Sequence, residues 1–318
     1  MRFTKLYFVL FFLTILVVGL WMLFSWLYPS AHPALNNTLT PVFSTDPRAR
    51  FAVIGDFGKG GTPEADVAAL VKSWNPDFIV TTGDNNYPNG SPFSIDSHTG
   101  KYYREFIGSN SGNSGNNPNQ NRFFPALGNH DWMSITCAFD PCRGPYLGYF
   151  SLPGNERYYD FIWGSVHFFV LDSDSQEPDG VSPDSLQGLW LKQRLSNSTA
   201  TWKIVVFHHS PYSSGKVHGS IKYMRWPFQE WGASAVLSGH DHIYERLLVN
   251  GIPYFVNGLG GNQGIYSFNM PIPESEIRFN QDYGAMLIEA NLQTLTFKFI
   301  TRTGKLVDQF MLQSKELK

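Results

Sequence analysis

The sequence predicts an α/β fold of two mixed β-sheets packed face to face with helices on the outside, and three observations carry that expectation. Short apolar runs alternate with helical patterns through most of the chain, as they do in βαβ units. Residues 285–290, 295–301 and 306–312 alternate apolar and polar side chains, which is the pattern of paired antiparallel strands. Most of the apolar runs stop abruptly in a polar cluster, and open α/β sheets assemble their sites at the carboxyl ends of strands. A chain of 318 residues that is 42% hydrophobic can fill such a core. Its net charge of -2, with no Lys/Arg-rich run, excludes a nucleic acid as main partner.

The amino terminus is set apart. After Arg2 and Lys5, residues 6–28 carry no charge, and a helix needs roughly 20 such residues to cross a bilayer. Residues 29–33 make a poor cleavage site, so residues 1–28 are expected to form a transmembrane signal anchor. The alternative is a cleaved signal peptide and a secreted protein. Basic residues before the span, and none just after it, would leave the rest of the chain outside the cytoplasm. Residues 29–49, rich in Pro, Asn, Ser and Thr, read as a linker to a domain over 50–314. Export would also let Cys137 and Cys142 pair across a short turn, and would matter for the sequons at Asn36 and Asn197 if the source is a eukaryote.

The elements follow in order. Residues 51–54 form a buried strand ending in Gly55-Asp56, and Thr62-Pro63-Glu64 opens a helix that runs to Trp74. A second strand over 77–82 ends in Gly83-Asp84, with Tyr87 just beyond, so the two aspartates should converge. A short helix near 102–107 leads into the polar loop 109–121, which lacks the Gly-Lys-Ser/Thr ending of a phosphate loop. A third strand over 123–127 ends in Gly128-Asn129-His130-Asp131. Residues 158–163 and 165–172 read as a hairpin turning at Gly164, and 183–195 as an amphipathic helix with Leu186, Leu189, Trp190 and Leu195 apolar. His167 alternates with the apolar residues of its strand and reads as structural. The strand over 203–207 ends in His208-His209, the loop 212–220 carries His218, and a helix is expected over 221–231.

The next strand ends in Ser238-Gly239-His240-Asp241-His242. Two imidazoles two residues apart in extended backbone project the same way, which suits metal ligation, although an H-x-H alone also fits an ordinary exposed loop. What raises it is company: Asp56, Asp84 with Tyr87, Asn129 with His130, then His208, His209, His218, His240 and His242 all stand at strand ends or in the loops beside them.

This ordered series, GDFG, GDNNY, GNHD, VVFHH and GHDH, resembles the metallophosphoesterase superfamily with its calcineurin-like fold. Gly58 where that superfamily usually has a histidine, together with Tyr87, makes it similar to the purple (tartrate-resistant) acid phosphatases. The resemblance implies a dinuclear centre: Asp56, Tyr87 and His242 on a ferric ion, Asp84 bridging, and Asn129, His208 and His240 on a divalent iron, zinc or manganese. His209 competes with His208 for its role. The resemblance further implies that a metal-activated hydroxide attacks the phosphorus of a phosphate monoester, small molecule or phosphoprotein. His130, oriented by Asp131, and His218 would protonate the leaving oxygen. A phosphodiesterase or nucleotide hydrolase on the same core, and an inactive surface binding module, are the alternatives.

Overall fold

The computed structural model describes residues 40–108, 121–138, 142–262 and 264–314. The expected signal anchor, the linker before Thr40 and nearly all of the polar loop 109–121 lie outside the described residues. Among the described residues no helix is long and apolar enough to cross a membrane.

Two sheets carry the fold. The first has eight strands in the order β1 (Val42–Ser44), β5 (Tyr159–Trp163), β6 (Val166–Val170), β7 (Trp202–His209), β8 (Ala235–Gly239), β10 (Ile252–Asn257), β9 (Tyr244–Val249) and β11 (Ser275–Phe279). The second has six, in the order β14 (Leu306–Gln313), β13 (Thr294–Thr301), β12 (Gly284–Ala290), β2 (Ala49–Ile54), β3 (Phe78–Thr81) and β4 (Phe123–Pro125). β2, β3 and β4 are mutually parallel, as are β6, β7 and β8, so their carboxyl ends emerge together. The closing strands β12, β13 and β14 pair antiparallel as expected.

Side-chain alternation explains how the sheets pack. In β7, Ile204 and Val206 face the other sheet, while Val205 and Phe207 face a second apolar cluster with Leu191 and Leu195. Aromatic rings fill the space between the sheets: Phe168 of β6 meets Phe51 of β2 edge-on at 5.0 Å, and Phe161 of β5 stacks on Phe124 of β4 at 3.8 Å. Burying each such ring contributes about 1.5–3 kcal/mol. The helices α1 (Thr62–Ser73) and α2 (Leu186–Asn197) bring Val67, Ala68 and Val71, and Leu191 and Leu195, onto these cores.

Four local expectations need correction. Residues 42–44 are not linker but edge strand β1, because the β5 edge offers them backbone partners. The helix near 102–107 lies earlier, as a π-turn over Asp96–Gly100 and a short helix over Lys101–Tyr103. The helix over 221–231 is only a 3-10 turn at Lys222–Met224, since Pro227 supplies no N–H and disfavours helical backbone at Trp226. In α2 the predicted apolar residues Leu186 and Leu189 are exposed, and Leu191 and Leu195 are buried. Cys137 and Cys142 are joined in a disulfide.

Candidate metal centre

Asp56 follows β2, Asp84 follows β3, Asn129 follows β4, His208 closes β7, and His240 and His242 follow β8. Both sheets therefore deliver ligand-type side chains to one place. Asp56, Asp84 and His240 all take left-handed backbone, with φ of 55°, 55° and 73°. Such a conformation costs of order 1–3 kcal/mol at a non-glycine residue and turns each side chain sharply off its strand.

The turn also re-aims backbone donors. The His240 N–H donates to Asp56 Oδ2 at 3.0 Å, and the His130 N–H donates to Asp84 Oδ1 at 2.9 Å. One oxygen of each carboxylate is thus held by backbone, which orients the other. Asp56 Oδ1 lies 3.3 Å from the Tyr87 hydroxyl and 3.6 Å from His242 Nε2. The Tyr87 hydroxyl is 2.8 Å from Asp84 Oδ2 and 3.3 Å from His242 Nε2. On the other side, His208 Nε2 lies 3.4 Å from Asp84 Oδ2, 3.1 Å from Asn129 Oδ1 and 3.1 Å from His240 Nδ1.

The donor set fits cations. His208 Nδ1 and His242 Nδ1 each face a carbonyl, of Thr82 and Gly264, at 2.8 Å, so the ring hydrogen sits there and Nε2 presents a bare lone pair. Those lone pairs point at carboxylate and amide oxygens, so acceptor faces acceptor. Burial pushes the His208 imidazole down to about 3 and lowers His240 and His242, which keeps all three rings neutral and free to ligate. Burial, then the Asp84 charge, pushes Asp56 far up, and burial with Asp84 and Asp56 does the same to the Tyr87 phenol. A cation among these atoms reverses each of those penalties. Ligand atoms of Asp56, Asp84 and His208 lie within 4.8 Å of one another, as do those of His208, His209 and His240.

Strand parity separates the two adjacent histidines. His208 continues the inward row of Ile204 and Val206 and is fully buried beside Asp84, whereas His209 continues the outward row and bonds Ser173 Oγ through Nδ1 at 2.9 Å. The glycines of the motifs have a steric reason. A Cβ at Gly128 would lie 2.2 Å from Asp84 Oδ1, and one at Gly239 would lie 2.5 Å from Asp56 Oδ2. Gly128→Ala is therefore expected to displace Asp84 and cut bound metal at least tenfold while leaving the circular dichroism spectrum unchanged. Metal analysis after gel filtration checks this.

The three residues expected to handle protons lie at the same site in different settings. The His130 ring packs on Tyr87 with centroids 4.4 Å apart, and its Nε2 is 3.9 Å from Asp84 Oδ2. His218 stacks on His240 at 3.9 Å, in a loop held by Asp241, whose carboxylate accepts from Ser213 Oγ, His218 N and Gly219 N. Asp131 does not orient His130. It accepts from Asn85 N, Asn85 Nδ2 and Gly128 N, and the Pro88 carbonyl holds the His130 ring instead. Burial and Asp84 push the Asp131 carboxyl up to about 7.

Sequence reasoning missed Asn85, Asp241, Ser173 and Tyr266. Asp241 had a signal, because a buried carboxylate between two ligand-type histidines must find donors of its own. Tyr266 stacks nearly parallel on His242, with centroids 4.1 Å apart and planes 11° apart. Burial, then Asp56, Asp241 and Asp84, push its phenol up to about 12.

A family model described as calcineurin-like phosphoesterase matches residues 49–244. Purple acid phosphatase 4 of Arabidopsis thaliana is 26% identical over 89% of this chain and 90% of its own length. Tartrate-resistant acid phosphatase type 5 of Homo sapiens is 25% identical over 86% of this chain and 91% of its own. Among solved structures, the purple acid phosphatase PPD1 of yellow lupin superposes with a TM-score of 0.68 at 17% identity, covering 86% of this chain and 55% of that one. GAP50, the anchor in the inner membrane complex of Plasmodium, superposes with a TM-score of 0.62 at 20% identity, covering 85% of this chain and 90% of that one.

Proposed function

Because the chain belongs to the calcineurin-like phosphoesterase family, and is accordingly a metal-dependent phosphoric ester hydrolase, we propose that it hydrolyses phosphate monoesters at a dinuclear centre, as an acid phosphatase. The observation that carries this reading is the double convergence around Asp84. Its Oδ2 faces the Tyr87 hydroxyl at 2.8 Å on one side and His208 Nε2 at 3.4 Å on the other. Asp56, Tyr87 and His242 form a hard, anionic set suited to ferric iron, and Asn129, His208 and His240 form a neutral set suited to a divalent ion, with Asp84 shared. The relatives named as acid phosphatases support the monoester substrate.

Bound there, two cations supply an activated water and neutralise phosphoryl oxygens for in-line displacement. The protein's own share is geometric and acid–base. The N–H groups of His240 and His130 fix the two carboxylates before substrate arrives. His130 and His218 both reach solvent, one beside Asp84 and one over His240, and either would protonate the leaving oxygen.

Purified protein is expected to carry one iron and one divalent ion per chain, to be pink or purple from tyrosinate bound to ferric iron, and to hydrolyse an aryl phosphate faster than the matching diester. A colourless, fully active protein holding only zinc or manganese would refute the iron assignment. Preference for the diester would refute the monoester reading.

A further inference from the structure

Each imidazole of the pair at 240 and 242 is covered by a second ring. His218 lies on His240 at 3.9 Å, Tyr266 lies on His242 at 4.1 Å, and the two covering rings face each other at 5.7 Å. His218 is already placed as a proton donor, whereas Tyr266 has no role in the reaction described above. Its position is nevertheless fixed. The Tyr266 N–H donates to the His242 carbonyl at 3.0 Å, and Asn280 Nδ2 donates to the Tyr266 carbonyl at 2.8 Å.

The hydroxyl is another matter. Among the described residues none hydrogen-bonds the Tyr266 hydroxyl, and the side chain is only half-buried. The other phenol of the site, Tyr87, is buried, and its oxygen is engaged by Asp56, Asp84 and His242. A phenol held by backbone at both ends, flat against a ligand-type histidine, half-buried and with a free donor, is arranged to meet something that enters. The charge of the entering group settles what that donor is for: a phosphoryl group brings oxygens that accept hydrogen bonds and none that donate as the dianion.

We propose that Tyr266 is a substrate contact, its hydroxyl donating a hydrogen bond to a non-bridging phosphoryl oxygen of the bound monoester. This rests on the monoester reading above. A hydrogen bond to a charged acceptor sets the expected size of the effect, a loss of about tenfold in affinity when the donor is removed. The role is binding and not metal retention, since the hydroxyl is not among the atoms that converge on Asp84.

Tyr266→Phe keeps the ring on His242 and removes only the oxygen. In metal-loaded protein it is expected to weaken the binding of inorganic phosphate about tenfold by calorimetry and to raise KM for an aryl phosphate by a similar factor, with metal content unchanged. Met270→Ala, an exposed change in the same loop, is expected to leave phosphate affinity as in the parent protein. Phosphate binding by Tyr266→Phe equal to that of the parent would overturn the proposal while leaving monoester hydrolysis intact. Loss of metal from Tyr266→Phe would overturn it too, by assigning the hydroxyl to the centre itself. A parent protein that neither binds phosphate nor hydrolyses monoesters would remove both this proposal and the reading beneath it.

Discussion

If the proposed centre holds two ions, Asp84→Asn is expected to leave about one metal ion per chain, and to lower kcat by more than the roughly 10²–10³ that loss of a single preorganised donor costs. The expectation follows from where Asp84 sits. Its Oδ2 meets the Tyr87 hydroxyl at 2.8 Å and His208 Nε2 at 3.4 Å, and its Oδ1 accepts from the His130 N–H at 2.9 Å. Without its charge the set of Asn129, His208 and His240 is wholly neutral and has the weaker hold on a cation. The set of Asp56, Tyr87 and His242 keeps an anion and should retain its ion, and with it the colour. Stability should move the opposite way in metal-free protein. Asp56 is buried and raised by the charge of Asp84, so removing that charge relieves a like-charge repulsion. Chelated Asp84→Asn is therefore expected to melt no lower than chelated parent protein. Two metals and near-parental kcat in the variant would show that Asp84 does not bridge.

The sheets and the convergence of polar strand ends were legible because both rest on local rules. An apolar run that stops in Gly-Asp, Gly-Asn or Gly-His announces a strand end, and at Gly83, Gly128 and Gly239 a ligand-type side chain occupies the space a Cβ would fill, as Asp84 does at Gly128. The opposite facing of His208 and His209 was also available from the sequence. Counting alternate residues from Ile204 through Val206 puts His208, not His209, on the inward face. Other features exist only through tertiary partners. β1 is three residues long and is a strand because β5 has a free edge. β9 and β11 pair with each other, yet β11 lies beyond a loop rich in Gly, Asn and Pro that gives no sign of where it returns. Tyr266 belongs to that loop, and only the pairing around it brings its ring onto His242.

The last misreading is the most useful experimentally, because position in sequence suggested one job for Asp131 and its hydrogen bonds assign another. Next to His130 it looked like the carboxylate that orients a proton donor. In the fold it accepts from Asn85 N at 3.1 and 3.2 Å, from Asn85 Nδ2 at 2.8 Å and from Gly128 N at 3.0 Å. Asn85 and Gly128 flank Asp84 and Asn129, so Asp131 ties the loop after β3 to the loop after β4. Asp131→Ala leaves at least two buried N–H groups without an acceptor, and each such loss costs about 1–3 kcal/mol. The variant is expected to be destabilised by about 3–5 kcal/mol in urea denaturation and to bind metal more weakly, since both strand-end loops lose their tie. Asp131→Asn keeps one acceptor oxygen and should recover part of the loss. A carboxylate that oriented His130 would behave differently. Its removal would lower kcat of the metal-loaded protein and move the acid–base limb of the pH profile, with little change in denaturation midpoint. Near-parental kcat in whatever fraction remains folded and metal-loaded, together with the lowered midpoint, is the result that the hydrogen bonds of Asp131 predict.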